Sequence, residues 1–126
     1  MTGRPTPRFP GRAPIEAYGN GGFRFAGMSH RGSILCLPSG IIAWDAADVS
    51  AVGPDLLRLI EAEGRPAATI LLGTGRTPVF PAPGVLQAFR DAGIWLEIMD
   101  TGAAARTYNV LLAEDRDVSA ALIAVE

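Results

Sequence analysis

The sequence predicts an α/β domain with a β-rich start, on three observations. Short apolar runs separated by glycine-rich turns occupy roughly the first third of the chain. From Pro54 onward, apolar residues recur at helical spacing in segments that alternate with short apolar runs. The composition, 48% hydrophobic and 19% charged over 126 residues, is that of a globular chain the size of one domain.

The β-rich region begins with a predicted hairpin. Residues 15–18 and 23–26 flank the segment 19–22, which contains three glycines and one asparagine. These residue types readily adopt the positive φ angles of a tight hairpin turn. Residues 33–37 then form a continuous apolar run, typical of a buried strand, and residues 41–44 return as its partner after a turn that contains proline and glycine.

Strands and helices alternate in the remainder of the chain. Pro54 is well placed to begin a helix, and Gly64 to end it. The elements predicted after this helix are a strand over residues 67–72, a helix over 85–92, a strand over 94–99, a helix from Thr101 to about Glu114, and a strand over 120–125. Strands joined by helices of this length usually pair in parallel through right-handed crossovers, so the later strands are predicted to lie parallel in one sheet.

The charged residues exclude several kinds of function. Eleven arginines face thirteen acidic residues, no lysine is present, and the formal net charge is −2. The missing lysine excludes Schiff-base chemistry and a phosphate-loop lysine, so any cationic role falls to arginine. The slightly acidic balance, without a basic stripe, argues against nucleic-acid binding.

The N-terminus differs in composition from the rest of the chain. Residues 1–14 are rich in proline and contain Arg4, Arg8 and Arg12 but no acidic residue. We predict a disordered tail over these residues and a single domain over residues 15–126. The sequence has no secretory signal and no apolar stretch long enough for a membrane helix, so we predict a cytoplasmic protein without a membrane span.

The sequence contains no residue set that indicates catalysis or metal binding. Cys36 and His30 are the only cysteine and histidine. We predict a buried thiol and a hydrogen-bonded loop histidine, because one of each supplies neither a metal-ligating set nor a nucleophile with its base. No metal, cofactor or catalytic residue is therefore predicted. Four aromatic residues in apolar patterns are predicted to lie in the core: Trp44, Phe80, Phe89 and Trp95.

Four segments together resemble a known family. They span residues 18–25, 30–35, 72–75 and 99–111, of which the last is the most specific. The chain resembles a family of small Mth-type domains of unknown function that includes mitochondrial complex I assembly factor 3 and an adipogenesis-associated Mth-domain protein. The resemblance covers about residues 15–125. It implies a three-layer α/β fold, with a mixed central sheet and an additional β layer, and it carries over no catalytic residues.

Two predicted loops, residues 73–75 and 100–102, follow neighbouring parallel strands. They could form a binding site at the carboxyl edge of the sheet. Thr101 is the predicted N-cap of a helix whose small first residues leave N–H groups free for an anion, with Arg106 leaning back toward them. The alternative is that Thr101 only caps the helix, the glycines only turn the chain, and Arg106 pairs with Asp100. The candidate anion-binding residues are Gly73, Thr74, Gly75, Asp100, Thr101, Gly102, Ala103, Arg106, Thr107 and Asn109.

The predicted function is a non-catalytic interaction or assembly-factor domain that holds a client protein and assists assembly of membrane or respiratory complexes, as the resemblance implies. The alternative is a binder of a small anionic ligand, or an enzyme that uses only positioning and backbone donors, at the two loops. We expect no nucleic-acid partner, at most peripheral membrane contact, and a monomer or weak homo-oligomer.

Overall fold

A computed structural model describes residues 7–64 and 69–126. The strands are β1 (Pro7–Phe9), β2 (Ile15–Gly19), β3 (Gly22–Phe25), β4 (Met28–Arg31), β5 (Ser33–Leu37), β6 (Gly40–Trp44), β7 (Thr69–Gly73), β8 (Trp95–Met99) and β9 (Ser119–Leu122). The helices are α1 (Pro54–Glu61), α2 (Pro83–Asp91) and α3 (Thr101–Ala113), with a short 3-10 helix at Val49–Ala51. Two residues of the predicted strand over 67–72, Ala67 and Ala68, lie outside the described residues.

The central sheet is mixed, as predicted. Within residues 7–64 and 69–126, its six strands have the order β1-β6-β5-β9-β7-β8. Strand β7 is parallel to both β8 and β9, whereas β5 is antiparallel to β6 and β9. Because β8 is the last strand of this order, one of its two edges has no described strand beside it.

Both faces of the central sheet are covered, which gives three layers. Along β5, Leu35 and Leu37 pack in the same core cluster as residues of α1 and α2. Ile34 and Cys36 pack in the other cluster, with α3 and with residues of β2 and β3. Alternate residues of a strand point to opposite faces, so a strand covered on both sides needs the continuous apolar run that the sequence shows. The predicted three-layer fold class is confirmed.

The additional β layer is a three-stranded antiparallel sheet, β2-β3-β4. The predicted hairpin between β2 and β3 is confirmed, since Asn20 and Gly21 turn the chain with φ angles of 53° and 79°. Strand β4 was not predicted. It carries His30, which is therefore a buried strand residue and not the predicted loop histidine. His30 is the register partner of Phe23 of β3, and its ring packs toward Phe25.

The N-terminal segment belongs to the fold from residue 7. Strand β1 pairs antiparallel with β6, and Ala13 is buried. The Nη2 atom of Arg12 donates to the carbonyl oxygens of Arg116, at 2.7 Å, and Val118, at 3.3 Å. The prediction of a disordered tail over residues 1–14 is therefore wrong for residues 7–14. Arg4 lies outside the described residues.

Candidate functional site

The two predicted site loops meet at the carboxyl ends of β7 and β8. The Thr101 N–H donates to the Gly75 carbonyl oxygen at 2.8 Å, and the Thr74 N–H donates to the Met99 carbonyl oxygen at 3.0 Å. Parallel neighbouring strands end at the same edge of a sheet, which is why the loops after them lie together. The sequence therefore predicted the adjacency of these loops correctly.

The gap between the two loops is closed by Thr101. Its side chain is fully buried, and its Oγ1 accepts from the Gly75 N–H at 2.9 Å and donates to the Ile123 carbonyl oxygen at 2.7 Å. The crevice expected between the loops is thus filled by a side chain whose hydrogen bonds are already used. Gly73 allows the backbones of β7 and α3 to approach closely. A Cβ at this position would lie only 2.8 Å from the Thr101 Cα.

The N-cap of α3 is Asp100 and not Thr101 as predicted. The Asp100 carboxylate accepts from the Ala103 N–H at 2.8 Å. An acidic cap occupies one of the free N–H groups of the first turn and offsets the positive end of the helix dipole. None of the ion pairs among residues 7–64 and 69–126 involves Arg106, so the pairing with Asp100 that the alternative interpretation contained is absent there.

Other predicted site residues hold the fold together. Asn109 exchanges two hydrogen bonds with the main chain of Ile15, each 2.8 Å long, and so joins α3 to β2. The Thr74 hydroxyl donates to the Thr77 carbonyl oxygen at 2.6 Å and accepts from the Val79 N–H at 2.9 Å, which orders the loop after β7. Thr107 is half-buried on α3.

Arg106 and Tyr18 meet above the first turn of α3. A Cβ built on Gly102 would contact the Tyr18 hydroxyl and would lie 3.3 Å from the Nη1 atom of Arg106. The Arg106 side chain therefore leans back toward the helix N-terminus, as predicted. Tyr18, from the second sheet, was not among the predicted site residues, because no local pattern connects a hairpin tyrosine to a helix that begins 83 positions later.

The single cysteine belongs to the core of the fold. Cys36 is buried in the core, and burial raises the pKa of its thiol to about 12. Burial also raises the pKa of the neighbouring Tyr108. The thiolate is the form of cysteine that attacks or binds metal, and this buried environment disfavours it. Over the described ranges, His, Cys, Asp and Glu side chains form no group that could hold a metal ion.

An exposed aromatic surface lies at the free edge of β8. Phe80 is 69% exposed and Trp95 is 52% exposed, so the prediction that both lie in the core is wrong. Phe89 is buried, as predicted, and Trp44 is half-buried against its cluster. The Arg90 guanidinium stands over the Trp95 ring, 5.4 Å from its centroid.

Further contacts order this surface. The Trp95 Nε1 donates to the Glu97 carboxylate at 3.0 Å, which fixes the indole along the strand. A cleft of about 100 Å³ runs between α2 and β8, bordered by Phe80, Leu86 and Trp95. We call Phe80, Arg90, Trp95 and Glu97 the β8-edge surface. The sequence signal that could have found it is the run of prolines around Phe80, which excludes that aromatic from a regular buried element.

The comparisons with known proteins support the predicted resemblance. A family model described as a protein of unknown function (DUF498/DUF598) matches residues 15–123. An uncharacterized protein of Rhodobacter capsulatus is 38% identical over 93% of this chain and 89% of its own length. The mouse NADH dehydrogenase [ubiquinone] 1 alpha subcomplex assembly factor 3 is 32% identical over 91% of this chain, which spans 62% of that relative.

Solved structures share the fold. An outer membrane protein from Bartonella henselae is 49% identical, with a TM-score of 0.83 over 94% of this chain and all of that one. A Mth938-like domain from Bordetella pertussis is 27% identical, with a TM-score of 0.72 over 98% of this chain and 92% of that one. In the described part of this chain, each helix is too short or too polar to cross a membrane. The chain thus belongs to the DUF498/DUF598 family and has the Mth938-like fold.

Proposed function

We propose that this chain is a non-catalytic assembly-factor domain that binds a protein client of a membrane-bound respiratory complex through its β8-edge surface. The observation that carries the proposal is the exposure of Trp95 and Phe80 side by side with Arg90. Large aromatic side chains that lie together on the surface are typical of a site that a partner covers, because covering them removes apolar area from water. The relatives named as assembly factors of NADH dehydrogenase supply the class of client.

The residue types of the β8-edge surface suit a protein partner. Tryptophan and arginine are enriched among interface residues that dominate binding energy, and an aromatic anchor beside a small cleft is their usual setting. The Arg90 guanidinium over the Trp95 ring holds the indole in place before binding, which reduces the entropy lost when a partner docks. A small rigid domain with such a surface holds a client without chemistry of its own.

The proposal predicts that the double variant F80A/W95A loses its client. Truncating two such anchors costs on the order of 2 kcal/mol or more, which corresponds to at least about 30-fold weaker binding. The measurement is affinity capture from detergent-solubilised membranes of the source cell, with NADH dehydrogenase subunits quantified by mass spectrometry. We expect enrichment on the parent chain and near-background recovery on the double variant.

A matched control separates this surface from exposed apolar residues in general. Val110 is 57% exposed on α3 and is not part of the β8-edge surface, so Val110→Ala is expected to keep full recovery. Equal recovery on the double variant and the parent would show that the client binds elsewhere. No enrichment of any respiratory subunit over an empty bait would overturn the assembly-factor role.

A small anionic ligand at the first turn of α3 is the second candidate function. It is favoured by the Arg106 guanidinium, which lies beside the Tyr18 hydroxyl above Gly102. If an anion binds there, phosphates or carboxylates should raise the Tm of the parent chain, and Arg106→Ala should abolish that rise. Arg58→Ala, at an exposed position of α1, is the control and should respond like the parent. An unchanged response in the Arg106 variant would reject this candidate.

A further inference from the structure

The outer edge of β8 offers backbone hydrogen-bonding groups. Strand β8 ends the sheet, and the Met99 carbonyl oxygen accepts from the Thr74 N–H, so Met99 faces β7. Along a strand, successive residues direct their N–H and C=O groups to opposite sides. Leu96 and Ile98 therefore direct theirs away from β7, to the side of β8 where no described strand lies. An extended chain is the partner that satisfies such a row of donors and acceptors.

The charge of Glu97 decides which extended chain fits. Two copies of β8 that pair antiparallel and use the free groups of both Leu96 and Ile98 would place Glu97 directly opposite Glu97 of the second copy. Like charges directly opposite each other in a sheet are destabilising, whereas opposite charges stabilise. Charge on an edge strand is also a common protection against self-association. The edge thus disfavours a second copy and favours a strand with a basic residue opposite Glu97.

The surroundings of the edge fit the side chains of such a strand. Glu97 points to one face of the sheet, whereas Leu96 and Ile98 point to the other, where they line the cleft between α2 and β8. Neighbouring residues of an added strand would alternate between these faces, with the basic residue beside Glu97 and an apolar residue in the cleft. At about 100 Å³ the cleft takes one aliphatic side chain.

We infer that the client contributes an extended segment that pairs with β8 as a seventh strand of the central sheet, with a lysine or arginine opposite Glu97 and an apolar neighbour in the cleft beside Phe80. This inference rests on the proposed client-binding function and names the chemistry of the bound segment. Main-chain hydrogen bonds would supply part of the affinity, and the basic and apolar positions the specificity.

The test uses a displayed library of random nonamer peptides, from which peptides that bind the full chain are selected. We expect the selected peptides to alternate polar and apolar residues around one lysine or arginine. Ile98→Pro removes one outward N–H and is compatible with an edge strand, so it should weaken their binding at least tenfold. Ile98→Ala is the matched control, since it trims the side chain but keeps the donor. Glu97→Lys should reverse the preference to peptides with a central acidic residue.

Amide hydrogen exchange keeps the test decisive if the proline variant does not fold. A selected peptide should slow exchange at Leu96 and Ile98 of the parent chain. Exchange unchanged at both positions, or a library that yields no peptide with the alternating pattern, would overturn strand addition. Client capture that is lost in F80A/W95A but kept in a folded Ile98→Pro variant would overturn strand addition alone. Capture kept in both variants would overturn the proposed surface itself.

Discussion

Thr101→Val is expected to lower the free energy of unfolding by about 2–4 kcal/mol. The substitution keeps the shape of the side chain but removes a buried hydroxyl that serves two partners, the Gly75 N–H and the Ile123 carbonyl oxygen. Each buried polar group that loses its partner without gaining water costs free energy. Urea unfolding followed by circular dichroism measures the change.

Two further variants isolate the hydroxyl as the cause. Thr101→Ser keeps the hydroxyl and removes only a methyl group, so it should cost about 1 kcal/mol. Thr77→Val makes the same chemical change at an exposed position and should stay within about 0.5 kcal/mol of the parent. A loss in Thr101→Val no larger than the loss in Thr101→Ser would mean that the two hydrogen bonds contribute little.

Gly73→Ala is expected to destabilise the chain by about 3 kcal/mol, through crowding and not through backbone strain. The new Cβ would lie 2.8 Å from the Thr101 Cα and 3.2 Å from the Ala104 Cβ. The closest atom belongs to the backbone of α3, so β7 and α3 must move apart, and no side chain can relieve the contact by rotating. Thermal and urea unfolding both report the loss.

A second glycine provides the control for this prediction. Gly84 lies within α2, and a Cβ there would meet nothing within 4 Å. Gly84→Ala should therefore leave stability unchanged or raise it by about 0.5–1 kcal/mol, because alanine favours a helix. Similar stability of the two variants would show that the close approach of β7 and α3 is not required.

Local chemistry explains what the sequence predicted correctly. Asn20 and Gly21 tolerate positive φ angles, so the hairpin follows from two adjacent residues. The adjacency of the two site loops follows from the order of parallel strands and helices, which needs no knowledge of side-chain packing. The buried thiol of Cys36 follows from the apolar run that contains it.

The wrong predictions concern features that depend on contacts with residues distant in the sequence. Asp100 and Thr101 are both good N-cap residues, so local preference cannot distinguish them. The carbonyl oxygen of Ile123, on the neighbouring segment after β9, engages the threonine hydroxyl and leaves the cap to the aspartate. Trp95 is exposed because β8 is the last strand, and strand order in space is not encoded in any single segment. Strand β4 was missed because Met28–Arg31 lacks an apolar alternation.

The two termini of the domain are joined by hydrogen bonds that span most of its length. Arg12 binds the carbonyl oxygen of Arg116, Ile15 binds Asn109, and the Gly21 N–H donates to the Val125 carbonyl oxygen at 2.8 Å. During synthesis, the β2-β3-β4 layer is made well before α3 and the last residues, which supply part of its packing and these hydrogen bonds. Closing such long loops slows folding. The newly made layer therefore stays incompletely packed until the last segments are made, unless another protein covers it in the meantime.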